Sequence, residues 1–104
     1  MEVPNLSFIK EIAGEDVAFQ NSILEIIKKE FPVEVKSFTA NFALKNYKES
    51  SRDVHKIKHK ISLLGLKAGF EIASEFEKDL KKGNIALHKD FLEILTKIHV
   101  YLSD

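Results

Sequence analysis

The sequence contains no cysteine and no tryptophan, one methionine, two prolines and four glycines. Without thiols there are no disulfides, thiolate nucleophiles, iron–sulfur clusters or zinc fingers, and a small secreted scaffold becomes a poor fit. So little proline and glycine, in a chain that is 44% hydrophobic and 31% charged, excludes a disordered, collagen-like or flexible-linker protein. Net charge is missing too: sixteen Lys+Arg offset sixteen Asp+Glu, where a nucleic-acid binder normally carries a positive excess. No apolar run approaches the ~20 residues needed to cross a bilayer. Met1-Glu2-Val3-Pro4-Asn5 lacks the cationic-then-apolar order of a secretory leader. The expectation is a soluble, cytoplasmic protein with neither membrane nor nucleic acid as partner, residues 1–104 forming one domain.

What the chain does have is a succession of helical stripes. Leu6, Phe8, Ile9 and Ile12 predict a short first helix stopped by Gly14 at a left-handed cap, and Glu15 and Asp16 put negative charge where the next helix begins. Leu24, Ile27, Phe31, Val35, Phe38 and Phe42 recur at three- and four-residue steps, so one helix face runs past Pro32 without a change of phase. That predicts a single long helix kinked at the proline, which lacks a donor and crowds the Lys28 carbonyl.

Asn46 stands three residues before Glu49, as in a capping box, with Ser50 and Ser51 as competing starts. Val54, Ile57, Ile61 and Leu64 then form a third stripe, stopped by Gly65. Phe70, Ala73, Phe76 and Leu80 form a fourth, stopped by Gly83. Asn84 opens a fifth made of Leu87, Phe91, Ile94, Leu95, Ile98 and Leu102. Short links between such helices favour an all-α fold, an antiparallel up-and-down four-helix bundle, with the short N-terminal helix capping one end. Eight phenylalanines supply bulk to its core.

The third stripe also orients the polar residues between its members. At about 100° per residue, His55 lies roughly 140° from the inward direction and His59 roughly opposite it, so both face water. Lys58 falls on the flank, one turn from His55 and within reach of the same surface. A solvated imidazole with an ammonium one turn away has few structural reasons to be there.

Val54-His55-Lys56-Ile57-Lys58, with Leu64-Gly65 nine and ten positions after the histidine, resembles the signature of the histidine-containing phosphotransfer (HPt) domain family. That signature reads His, any residue, an aliphatic, Lys, a small residue, then Leu-Gly. The resemblance spans nearly the whole chain, from Leu6–Gly14 through the proline-containing helix to the last stripe. Phe76-Glu77 falls where the family tends to place an apolar residue followed by a polar one. It implies that His55 accepts a phosphoryl group from a receiver-domain aspartate and passes it to another receiver. In that scheme Lys58 stabilises phosphoryl charge, His59, Ser62 and Glu77 neighbour the site, and Glu77 orients the imidazole ring. The partners implied are response-regulator receiver domains and a hybrid histidine kinase. Magnesium belongs to the receiver, and this chain carries no metal or cofactor. It would be a monomeric phosphocarrier rather than an enzyme. The departure is His59, four residues after the phosphoacceptor, where the family usually has glycine or another small residue. Helical side chains lean toward the N-terminus, so His59 leans over His55.

By the same angular count Leu63 projects outward, and Leu63, Leu66, Phe8 and Ile12 could form a docking patch. Alternatively, Leu63 and Leu66 pack into the turn. A metal held by His55 and His59 is disfavoured, because zinc seeks four ligands and no further one is placed nearby. His88 and His99 read as ordinary residues, and Lys81-Lys82 as complements to a helix dipole. The main alternative is an HPt-like binding module that docks a receiver or kinase without accepting phosphate. A purely structural helical protein is the third.

Overall fold

Helices form where the stripes lie. In a computed structural model that describes residues 2–103, they are α1 (Ser7–Ala13), α2 (Val17–Ala43), α3 (Tyr47–Leu63), α4 (Lys67–Lys81) and α5 (His88–Leu102). All-α architecture is thus observed, a helical bundle with a short N-terminal helix. α3 packs against both α2 and α4, α5 lies on α4, and α1 lies on α2. None of the helices is long and apolar enough to cross a membrane among the described residues.

Local chemistry explains the boundaries. Asp16 caps α2 by accepting a hydrogen bond from the Phe19 amide at 2.9 Å. α2 runs without a break through Pro32, so the proline costs it the bond to the Lys28 carbonyl but not its continuity. It ends where Lys45 takes a left-handed φ of 58° and the Asn46 amide donates back to the Asn41 carbonyl at 2.9 Å.

Two expected caps are corrected. Asn46 does occupy the N-cap of α3, but its side chain makes no capping bond, and Glu49 pairs instead with Arg52 at 2.7 Å. Asn84 does not open α5. Its side-chain oxygen accepts from the Ala86 amide two residues on, forming a local turn, and the helix begins only after Leu87.

Val54, Ile57, Ile61 and Leu64 of the third stripe are all fully buried. They meet Ile27, Phe31 and Phe38 of α2, Ala73, Phe76 and Leu80 of α4, and Phe91, Ile94, Leu95 and Ile98 of α5 in one continuous core. A few polar bonds fix how the helices sit. Buried Asp53 on α3 accepts from Ser37 and Asn41 of α2, both at 2.8 Å, and the Ser51 hydroxyl donates to the Glu77 carbonyl on α4 at 3.2 Å. At one end of the bundle, His88 stacks on Phe42 with ring centres 3.8 Å apart and planes 8° from parallel, beside Phe38, Phe76 and Phe91.

The other end is closed by the residues preceding α1. The Asn5 amide donates to the Leu64 carbonyl at 2.8 Å. The Glu2 carboxylate accepts from the Ala68 and Gly69 amides, each at 2.9 Å, in the first turn of α4. Gly65 is required here twice over: its φ is 78°, and a Cβ would lie 2.6 Å from the Asn5 side chain.

Candidate functional site

The packing of α3 on α4 brings one carboxylate beneath two basic residues of the third stripe's polar side. The His55 side chain is 56% exposed, and its Nδ1 lies 3.1 Å from Glu77 Oε2. A carboxylate only accepts, so Nδ1 carries the proton and donates it, and the Nε2 lone pair is left for chemistry in solvent. The Glu77 side chain is 13% exposed, and its other oxygen, Oε1, lies 2.9 Å from Lys58 Nζ. Burial pushes the Glu77 carboxyl up. The hydrogen bond and charge of Lys58, with His55 added, more than reverse this and hold it below the usual carboxylate range. Glu77 is therefore an anion that fixes the ring by one oxygen and the ammonium by the other.

Lys58 is consequently less available than its spacing suggests. Its side chain is 17% exposed, it is paired with Glu77, and its ammonium stands 5.5 Å over the Phe70 ring. His59 is exposed, and its ring lies edge-on to that of His55 with centres 5.0 Å apart. The N-terminal lean of helical side chains is thus realised, and the His59 ring stands beside that of His55.

His55 also lines an open groove of ≈ 710 Å³ with Lys48, Ser51, Arg52, Lys56, Glu77 and Lys81. Four exposed cations surround it in a chain of zero formal charge. Lys81 comes within 4.0 Å of Glu77 Oε2. The sequence reading missed this collar as a unit. Ser51 and Arg52 stand four and three residues before His55, the spacing of one helix surface, and could have been found by the angular count. Lys81 arrives from another helix and carried no such signal.

The other expected site residues divide. Ser62 is half-buried, does not line the groove, and is tied to the helix end by its carbonyl, which accepts from the Gly65 amide at 3.0 Å. Phe8 and Ile12 are exposed on α1. Leu66 cannot belong to a docking patch: it is 2% exposed, within the core. The positive φ of Gly65 turns the chain out of the α3 helix, so Leu66 no longer follows the helical count and points inward at the start of α4. Leu63, placed outward by that count, is partly buried against the core. No cluster of three or more potential metal ligands occurs among the described residues.

The model of the Hpt domain matches residues 22–103, from the first turns of α2 to the end of α5 and just beyond. Neither the curated proteins nor the solved structures yield a match.

Proposed function

The chain belongs to the Hpt domain family, and on that premise we propose that His55 is the residue that carries the phosphoryl group. Family membership makes the protein a phosphorelay carrier between receiver domains rather than an enzyme. Hpt domains generally interact with receiver or kinase domains. The assignment of His55 is carried by one observation: its Nδ1 is held 3.1 Å from the Glu77 carboxylate while the rest of the ring stands in solvent.

In the proposed step, the Nε2 lone pair of His55 attacks the phosphorus of an aspartyl phosphate on a receiver. The N–P bond forms as the bond to the aspartate oxygen breaks, and the aspartate leaves with that electron pair as a carboxylate. The Nδ1 proton stays between the ring and Glu77, whose charge stabilises the imidazolium that develops. Onward transfer is the reverse reaction toward a second receiver aspartate. Lys58 neutralises Glu77 and adds positive field one turn from the transferred group. The receiver supplies the metal and most of the catalytic groups. Lys48, Arg52, Lys56 and Lys81 favour an approaching acidic surface, and Phe8 and Ile12, with the exposed part of Leu63, offer apolar contact beside it. The residues 1–104 act as one HPt-like unit, a monomer of the cytoplasm.

The test is transfer of label from a phosphorylated receiver. Acid-labile, alkali-stable label is expected on the wild-type protein and none on His55→Gln. Label that persists in His55→Gln overturns the site. The alternative, a docking module that does not accept phosphate, is favoured by the crowding of His59 against His55. It predicts receiver binding without label, and label gained in His59→Gly.

A further inference from the structure

Lys58, the cation that spacing offers to a phosphoryl group, is held by Glu77 at 2.9 Å and largely covered. His59 is in the opposite situation. It is exposed, its ring centre is 5.0 Å from that of His55, and no carboxylate lies within 4.0 Å of it among the described residues. We propose that His59 is a second catalytic residue of the relay: it contacts the phosphoryl group on His55, and its protonation shifts the transfer equilibrium toward phosphorylated His55. This rests on the assignment of His55 as the phosphoacceptor.

An i, i+4 neighbour leans over the preceding turn, where the group bonded to His55 would stand. A neutral imidazole offers that group one N–H donor and a protonated one offers two with a full charge. Histidine is the side chain that makes this change between about pH 5 and 8. By linkage, if protonated His59 favours the phosphorylated form, phosphorylation makes His59 take up its proton at a higher pH. The titratable and charged groups on α3 and on the helices packed against it are present in both forms. On α3 they include His55 itself, Lys48, Arg52, Lys56, Lys58 and Lys60. On α4 they include Glu77, shared by His55 and Lys58, and Lys81. On α2 they include Glu30 and Glu34, both engaged by Lys60. A difference between the two forms therefore reports the phosphoryl group itself.

The experiment phosphorylates the intact protein with phosphoramidate, which needs no receiver, and follows the His59 ring by NMR across pH in both forms. Its midpoint is expected to be higher in the phosphorylated protein. In equilibrium transfer from a phosphorylated receiver, His59→Gln should lower the phosphorylated fraction ratio about two- to fivefold near pH 6 and little near pH 8. His59→Lys should hold the wild-type acidic value at both. Identical His59 titrations in the two forms, or a His59→Gln protein with unchanged or higher occupancy near pH 6, overturn the proposal. Label on His55 from phosphoramidate with none from any receiver overturns the relay reading while leaving the His59 contact standing. Failure of His55 to label at all removes both.

Discussion

Two charged clusters tie α3 to its neighbours, and their compositions are opposite. Toward α4, the single carboxylate of Glu77 serves two bases, Lys58 and His55. Toward α2, the single ammonium of Lys60 serves two carboxylates, Glu30 at 2.7 Å and Glu34 at 3.2 Å. The second cluster encloses its cation. Burial lowers the Lys60 pKa, yet the two carboxylates reverse this and raise it above the usual range. The first cluster has more base than acid, and the surplus is a histidine with one nitrogen held and the other free. Both draw their bases from α3 and their carboxylates from a helix packed against it. What differs is which charge is in the minority, and the minority charge decides whether the cluster is closed or leaves an imidazole nitrogen in solvent.

Breaking each cluster should therefore have different consequences. Glu77→Gln keeps the shape but removes the anion, so phosphoryl acceptance by His55 should slow about ten- to a hundredfold in a single-turnover assay. Lys60→Met should leave acceptance close to wild type and instead destabilise the fold by about 1–3 kcal/mol in urea unfolding, since Glu34 is left without its counter-charge. Equal losses of transfer in both variants would erase the distinction.

Proton linkage separates the clusters further. The Glu77 carboxyl is lowered from its ordinary 4.5, so its contribution to stability is complete above about that pH and is lost as pH falls through the folded value. The Lys60 ammonium is raised from 10.5, so its contribution is complete below that pH and is lost as pH rises through the folded value. Alkaline unfolding should thus be advanced by wild-type deprotonation but be nearly flat in Lys60→Met, while Glu77→Gln retains the wild-type alkaline limb.

A third histidine sharpens the contrast with His55. Burial against Phe42 lowers the His88 pKa from 6.5. Stability should be complete above about pH 6.5 and decline as pH falls through the lower folded value, because the unfolded chain binds the proton first. His88→Phe should remove this part of the acid limb in thermal unfolding at several pH values. The smallest effect concerns the collar. Lys56→Glu should slow receiver association about two- to fivefold at low salt, and the difference should shrink as salt is added, read by stopped-flow mixing.

Much of the fold was legible because burial repeats with the helix. The four members of the α3 stripe are all inside, and α2 passes Pro32 intact because its stripe kept phase. The exposure of His55 and His59 follows from the same count. What escaped was non-periodic or distant. Leu66 left the count at Gly65. Asn84 preferred a local turn to a helix cap. Lys45 ended α2 without a glycine to announce it. The pairing of His55 with Glu77 joins residues 22 apart and was implied by the family resemblance rather than by periodicity, whereas the reduced freedom of Lys58 follows only from knowing that this carboxylate stands beneath both.

The bond from Glu2 to the first turn of α4 connects residues 66 and 67 positions apart. In the folded chain this clasp gives two first-turn amides of α4, which have no intrahelical carbonyl to donate to, a side-chain acceptor instead. Hydrogen exchange at Ala68 and Gly69 should speed up in Glu2→Gln if the clasp protects them. The same helix is thus pinned at its start by Glu2 and, about three turns on, supplies the Glu77 carboxylate that holds the His55 ring, so one short rod joins the chain's first residues to its exposed imidazole.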